Sequence, residues 1–287
     1  MSMSAYFTKQ RLEELTRSLS ARDRYILDSL KKCRYLTTLQ IAQLYCGQSV
    51  NRRSAVRAAN RCLTKLKNSG LICALERRIG GVRAGSGSYI WTLTSGGFRL
   101  LCLESGAKQS RKQFREPSLH FLEHTLIISE AYLQMNQICT THQMTLSRVQ
   151  FEPDCWRQYS ARNGKTVILK PDLYVVTRGG GYEDCWFLEI DRATETPERV
   201  VDKCERYIQY LRTGAEQKQR GVFPYVVWIV PDEKRKHSLT AHIAKAYAHG
   251  SIFLVILPDE LETLIVGGAA EYMKNSRSKE GFNDRKR

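Results

Sequence analysis

The sequence predicts an α+β chain in two domains, and three observations predict it. The charge is split: residues 1–115 hold 22 Lys+Arg against 6 Asp+Glu, residues 116–287 hold 23 of each, and the whole formal net charge of +16 therefore sits in the first part. That first part patterns as three helices followed by two strands around a Gly-rich loop. The second alternates a helix, three strand-like runs and then further helices and strands. Its last strands are continuous apolar runs, as a sheet covered on both faces requires. A length of 287 residues suits two ordinary domains, and a chain 42% hydrophobic and 26% charged is globular in composition. No run of about 18 apolar residues marks a membrane span. The opening MSMSAYFTKQRLEELTRS lacks the apolar core of a secretion signal, so a cytoplasmic location is expected. Nine cysteines without a C-x-x-C fit reduced thiols and speak against a structural zinc site.

In the basic part, Ser20–Leu36 reads as a helix with Tyr25, Ile26 and Leu30 on its apolar side. Thr37–Cys46 reads as a second, short helix with Thr37 or Thr38 as N-cap. A third helix spans Asn51 to Gly70, capped by the first and stopped by the second. Within Leu71–Leu93 two strands flank the Gly-rich loop as a hairpin, and Thr94–Ser105 closes with a short helix. Three helices followed by a hairpin is the winged helix-turn-helix order. On the third helix Val56, Ala59, Leu63 and Leu66 make an apolar stripe, and Arg53, Arg57, Arg61 and Lys65 form an i, i+4 ladder opposite it. Like charges at that spacing cost a helix about 0.2–0.5 kcal/mol per pair. A ladder that costs stability points to an external anion, and Arg77, Arg78 and Arg83 in the hairpin would extend the contact. Double-stranded DNA is the expected partner.

In the neutral part, Leu119–Ile138 is apolar on most sides and reads as a buried helix. MTLSRVQFEPD, TVILKPDLYVVT and DCWFLEIDRAT follow as strands. Pro197–Arg212 reads as a helix with Thr196 as its N-cap and proline at its first position. A strand (FPYVVWIVPD), a helix (KHSLTAHIAKAYAHG) and a strand (SIFLVILPD) complete the order α-β-β-β-α-β-α-β. Residues 259–287 read as a polar basic tail, and its last stretch, KNSRSKEGFNDRKR, reads as without fixed structure.

Three carboxylates fall on these apolar strands: Asp172, Glu189 and Asp191. Residues i and i+2 of a strand share a face, so Glu189 and Asp191 point the same way, and strand pairing can bring Asp172 beside them. Three acids on one buried face need a positive partner. Mg²⁺ or Mn²⁺ takes oxygen ligands of this kind and can polarise a phosphodiester. The competing reading is plain: PD is a common dipeptide, and Glu189 and Asp191 also fit the surface of an edge strand.

Pro171–Asp172, followed by E-x-D at Glu189–Asp191 on the next strand, resembles the PD-(D/E)XK nuclease superfamily over residues 119–257. The usual lysine two residues after the glutamate is Asp191 here, and the resemblance then points to Lys203 on the following helix. Lys203 and Tyr207 flank one edge of that helix's apolar stripe, Val200, Cys204, Ile208 and Leu211. LTTLQIAQLY, LKNSGLI, YIWTLTSGG, LEHTL, KPDLYV, FLEIDRATET and KCERYIQY together resemble the replication-relaxation family, which includes MobC-type relaxases of mobilisable plasmids.

The resemblance implies a winged helix over residues 1–115 and a restriction-endonuclease-like core over 116–258. It implies metal-dependent nicking of one strand at a plasmid transfer origin. Asp172 and Glu189 would be metal ligands, with Asp191 as a third. Lys203 would be a phosphate cation, and His124 would match a helix histidine of the metal shell. Accessory mobilisation proteins and a coupling protein are the partners it implies. Three alternatives stay open: a site-specific endonuclease without a transfer role, a non-enzymatic winged-helix replication or regulatory protein, and Tyr207 rather than water as nucleophile.

Overall fold

The computed structural model describes residues 7–46, 51–76, 88–106, 117–161, 164–247 and 252–283. They form a mixed α+β chain with ten α-helices and three sheets among the described residues. The chain divides into two compact units, 1–133 and 134–287. The division falls inside the long helix Leu119–Thr141.

The first unit runs α1 (Lys9–Ser18), α2 (Ala21–Cys33), β1 (Leu36–Thr37), α3 (Thr38–Cys46), α4 (Arg52–Asn68), β2 (Ile72–Ala74), β3 (Ile90–Leu93) and α5 (Ser95–Ser105), then enters α6 (Leu119–Thr141). The helix starts follow from side-chain caps. Ser20 and Asp23 form a reciprocal capping box on α2. Thr37 and Gln40 do the same on α3: the Gln40 amide donates to Thr37 Oγ1 (3.1 Å), and the Thr37 amide donates to Gln40 Oε1 (3.0 Å). Asn51 Oδ1 accepts the Arg53 amide (2.9 Å) and begins α4. Beyond the end of α4, Gly70 takes φ +73°, a left-handed conformation that glycine reaches without Cβ strain, and the Leu71 amide returns to the Leu66 carbonyl (3.0 Å).

The expected hairpin pairs as β2 against β3, with Ile72 opposite Leu93, and β1 adds to the other side of β3. Helix α1 was not expected. Its signal is local: Thr8 caps Arg11, and Leu12 and Leu15 are its buried positions. The inner face of α4 is Ala55, Ala59, Leu63 and Leu66; the expected Ala59, Leu63 and Leu66 are buried, and Ala55 replaces the partly buried Val56 at the first position. On α2 the buried face is Ile26, Leu27, Leu30 and Cys33, whereas Tyr25 is exposed.

The second unit contains β4 (Thr145–Phe151), β5 (Arg157–Ser160), β6 (Thr166–Leu169), β7 (Leu173–Gly179), β8 (Tyr182–Ile190), α7 (Pro197–Leu211), α8 (Ala215–Arg220), β9 (Tyr225–Ile229), α9 (Glu233–Ala246), β10 (Phe253–Ile256) and α10 (Leu261–Asn283). Its main sheet has the order β10-β9-β8-β7-β4. β4, β7 and β8 pair antiparallel, and β8, β9 and β10 pair parallel. Two parallel steps in a row need crossovers, which α7–α8 and α9 supply. One face of the sheet carries Tyr174, Val176, Cys185, Phe187, Val226 and Trp228, packed under Val200, Cys204, Tyr207 and Tyr210 of α7.

Two expectations for this unit change. The run TVILKPDLYVVT is two strands: β6 pairs with β5 in a separate ribbon, and β7 joins the main sheet. Pro171, which has no N–H for a ladder, stands at the break. The expected tail from residue 259 is instead helical from Leu261 to Asn283. Leu261, Leu264, Ile265, Ala269 and Tyr272 are buried, which a purely polar reading of this segment overlooked.

Candidate functional site

The break at Pro171 places Asp172 at the corner where the chain enters β7. In the β7–β8 register Leu173 faces Leu188, so Asp172 comes level with Glu189. The Asp172 Oδ2 accepts the Ile190 amide at 2.7 Å, which ties the corner to the end of β8. Glu189 is 1% exposed. Its Oε2 accepts from Lys203 Nζ (2.5 Å) and its Oε1 accepts from the Tyr207 hydroxyl (2.5 Å). Lys203 and Tyr207 lie four residues apart on α7, the spacing that puts both on one side of the helix. The buried positions of α7 are Val200, Cys204, Tyr207 and Tyr210, so Tyr207 belongs to the core face and does not flank it.

The electrostatics of this group follow from its burial. Desolvation pushes the Glu189 carboxyl up to about 7, against the Lys203 ammonium that pulls it down. Burial pulls Lys203 down in turn, but the charges of Glu189 and Asp172 outweigh it and hold the ammonium above its ordinary value. Tyr207 is pushed well above the ordinary phenol value, first by burial and then by Glu189, so its hydroxyl stays a proton donor.

Asp191, expected beside these acids, makes its side-chain hydrogen bonds to another helix. Its two oxygens accept from Arg235 of α9, Oδ2 from Nε (2.6 Å) and Oδ1 from Nη2 (3.0 Å). Arg235 Nη2 also donates to the Glu195 carbonyl (2.8 Å). Glu189 thus accepts from a lysine and a tyrosine, Asp191 from an arginine, and Asp172 from a backbone amide, with Lys203 feeling the charge of both Glu189 and Asp172. Among the described residues no three His, Cys, Asp or Glu side chains come together with metal-holding spacing. His124 lies half-buried on α6 in the first unit, and the Glu189 group is built entirely from the second.

Arg235 was missed by sequence reasoning. It stands 44 residues from its partner in a Glu-Lys-Arg-Lys run that reads as an ordinary solvated helix start. A second buried network was missed as well. Glu216, 1% exposed, accepts from Arg157 Nε (2.6 Å) and the Tyr210 hydroxyl (3.0 Å), and the Arg157 guanidinium lies over the Tyr174 ring at 4.8 Å. It ties α8 to β5 and α7.

In the first unit, Arg53, Arg57 and Arg61 are exposed along α4 and have no partner among the described residues. Lys65 departs from the expected ladder. Its Nζ donates to Asp23 Oδ2 (2.7 Å) and to the Ser18 carbonyl (3.2 Å), so it holds α4 to α2. Burial raises Asp23, but the hydrogen bonds from Lys65 and Ser20 outweigh it and hold the carboxyl below its ordinary value. The remaining ladder is three arginines. Arg77, Arg78 and Arg83 lie outside the described residues.

The family model for replication-relaxation matches residues 27–226. The chain belongs to the replication-relaxation family. No curated protein and no solved structure matches it. The replication-relaxation match takes in α4 with its arginines, Asp172, Glu189, Asp191, Lys203 and Tyr207. It ends in β9, so Arg235 lies beyond the matched residues. No helix among the described residues is long and apolar enough to cross a membrane.

Proposed function

We propose that this replication-relaxation protein is a DNA relaxase that nicks one strand at a plasmid transfer origin. In this reading the first unit is a winged helix that grips duplex DNA, and the second is a PD-(D/E)XK-type nuclease core. The observation that carries the reading is the Glu189 group. An acid at the end of β8 lies level with Asp172, and a lysine is held 2.5 Å from it on the next helix. That is a carboxylate pair with a cation placed for a phosphate.

Asp172 and Glu189 would hold Mg²⁺ or Mn²⁺. Two adjacent carboxylates fit Mg²⁺, which keeps several waters and takes its other oxygens from a substrate phosphate. When bound, the cation supplies Lewis-acid polarisation of the phosphodiester and an acidified water. Lys203 then neutralises charge developing on the scissile phosphate. The Tyr207 hydroxyl fixes the orientation of Glu189. Accessory mobilisation proteins and a coupling protein are the partners this role entails. The second reading is a replication or regulatory protein that binds DNA without cutting it. It draws support from the way Glu189 and Asp191 are each answered by a cation of the chain itself.

Divalent-metal-dependent nicking of supercoiled cognate plasmid tests the proposal. Conversion to the open circle with Mg²⁺ or Mn²⁺ and not with EDTA is expected. Binding without conversion under any divalent cation would favour the regulator.

Two further outcomes are expected. Substituting Arg53, Arg57 and Arg61 together by alanine flattens the salt dependence of duplex binding. The slope of log K against log salt falls by about 0.9 per lost phosphate contact, up to about 2.7 for the three. An unchanged slope in a folded variant places the duplex on another surface. Tyr207→Phe keeps nicking within about tenfold of wild type, a barrier change below about 1.4 kcal/mol, because a fully buried hydroxyl bonded to Glu189 does not attack DNA. Its cost falls on stability, about 1–3 kcal/mol for the unmet Glu189 oxygen, read from the urea midpoint. A denaturant-stable protein–DNA adduct in wild type that is lost in Tyr207→Phe would make Tyr207 the nucleophile instead.

A further inference from the structure

We infer that Arg235 is a second phosphate-binding cation at the Glu189 edge of the sheet, and that Asp191 acts as its positioning residue and not as a metal ligand. The inference rests on the nuclease reading for its place in the reaction, and on the geometry for the assignment itself.

The Asp191–Arg235 pair is bidentate, with side chains 4% and 11% exposed. A carboxylate in such a pair aims both oxygens at the guanidinium, so a cation could be bound only by breaking the pair. Arginine has five N–H donors. Nε donates to Asp191, and Nη2 donates to Asp191 and to the Glu195 carbonyl. Nη1 has no acceptor among the described residues. The guanidinium is thus clamped along one edge and keeps its last two donors for something else. A guanidinium with fixed orientation and spare donors suits a phosphodiester oxygen better than a free lysine does.

Its position supports the same ligand. Glu189 and Asp191 stand at the carboxyl end of β8, and Asp232 follows β9, which runs parallel to β8. In sheets with parallel strands ligands bind outside those ends. Both crossover helices, α7 and α9, begin there, so their positive ends face the same edge. On α9 the Asp232 side chain already caps the Arg235 amide (2.8 Å), whereas Thr196 makes no side-chain cap on α7. Lys203 and Arg235 together give this edge two fixed cations on two different helices, each anchored by its own acid. A strand lying along the edge meets them as successive phosphate contacts.

The test uses the full chain with Asp191→Asn, Arg235→Ala and Arg235→Lys. Binding of a short cognate duplex is measured in EDTA over a salt series, and Mg²⁺ is titrated in the nicking assay. Arg235→Ala should lower the salt slope by about 0.9. Arg235→Lys keeps a charge for Asp191 and hence the fold, but lacks the fixed fork with its two Nη1 donors outside the pair, so it should lose the same slope. Asp191→Asn should weaken binding as Arg235→Ala does, with little added loss in the double variant, and should leave the Mg²⁺ concentration for half-maximal nicking within about twofold. An unchanged salt slope in both Arg235 variants overturns the inference. So does a tenfold or larger rise in the Mg²⁺ requirement in Asp191→Asn, which would return that residue to the metal. If wild type does not nick with any divalent cation, the nuclease reading falls, and the EDTA binding series still decides whether Arg235 holds phosphate.

Discussion

Asp172→Asn and Glu189→Gln lose nicking by more than about a hundredfold while duplex binding stays close to wild type. Both substitutions keep shape. The amide that replaces the Asp172 carboxylate still offers an oxygen to the Ile190 N–H, and the amide that replaces Glu189 still offers one to the Tyr207 hydroxyl, so the fold is retained. What each removes is a negative oxygen at the place where two acids come level on β7 and β8. Groups that merely orient a metal ligand are worth about 10- to 100-fold, so removing a ligand itself should cost at least the upper figure. Binding is spared because the exposed arginines lie on α4, in the other unit. The check is single-turnover nicking of supercoiled plasmid beside equilibrium binding of a linear duplex. Wild-type rates in both variants would remove the metal site from Asp172 and Glu189. Loss of binding in both would show that the acids act through the fold.

Lys203→Met destabilises the second unit, and does so more strongly as the pH rises. Glu189 is buried, and Lys203 is the cation that answers it. Breaking a buried pair on one side costs about 3–5 kcal/mol when the remaining charge stays ionised. Glu189 can lower that cost by taking up a proton, and burial already pushes its pKa to about 7 with the lysine in place. Without Lys203 it rises further. A carboxyl whose folded pKa lies above its unfolded value contributes stability that is fully present below the unfolded pKa, about 4.3, and is lost as pH rises through the folded pKa. Lys203→Met should therefore lie nearest wild type at pH 5.5 and furthest below it at pH 8.5. Adding Glu189→Gln removes the titrating group and should abolish that pH dependence. Urea midpoints at the two pH values measure both effects. An equal deficit at both pH values would mean that the loss comes from packing of the lysine stem on Trp228, over whose ring the ammonium lies at 5.6 Å, and not from charge.

The local signals in this chain were legible because they act within a few residues. Caps at Thr37 and Asn51 and the proline at Pro197 satisfy or remove backbone donors of their own helix, and the stop at Gly70 lets the chain turn back to meet a terminal carbonyl. The strand period put Glu189 and Asp191 on one face, and helical spacing put Lys203 and Tyr207 on one side of α7. The charge split between the parts of the chain was likewise a property of the sequence alone. What period and spacing leave open is the partner across space. Among the chain's own groups, a carboxylate beside a sheet can be met by a lysine, an arginine, a hydroxyl or an amide, and only the packing of α7 and α9 on the sheet decided among them. It gave Glu189 to Lys203 and Tyr207, and Asp191 to Arg235. Packing of α4 on α2 likewise turned Lys65 from a ladder of like charges to Asp23, since a nearly buried acid on α2 draws a cation from the helix beside it. Tertiary structure also made residues from Leu261 a helix, because Leu264, Ile265 and Tyr272 had a surface to cover that the sequence by itself does not display.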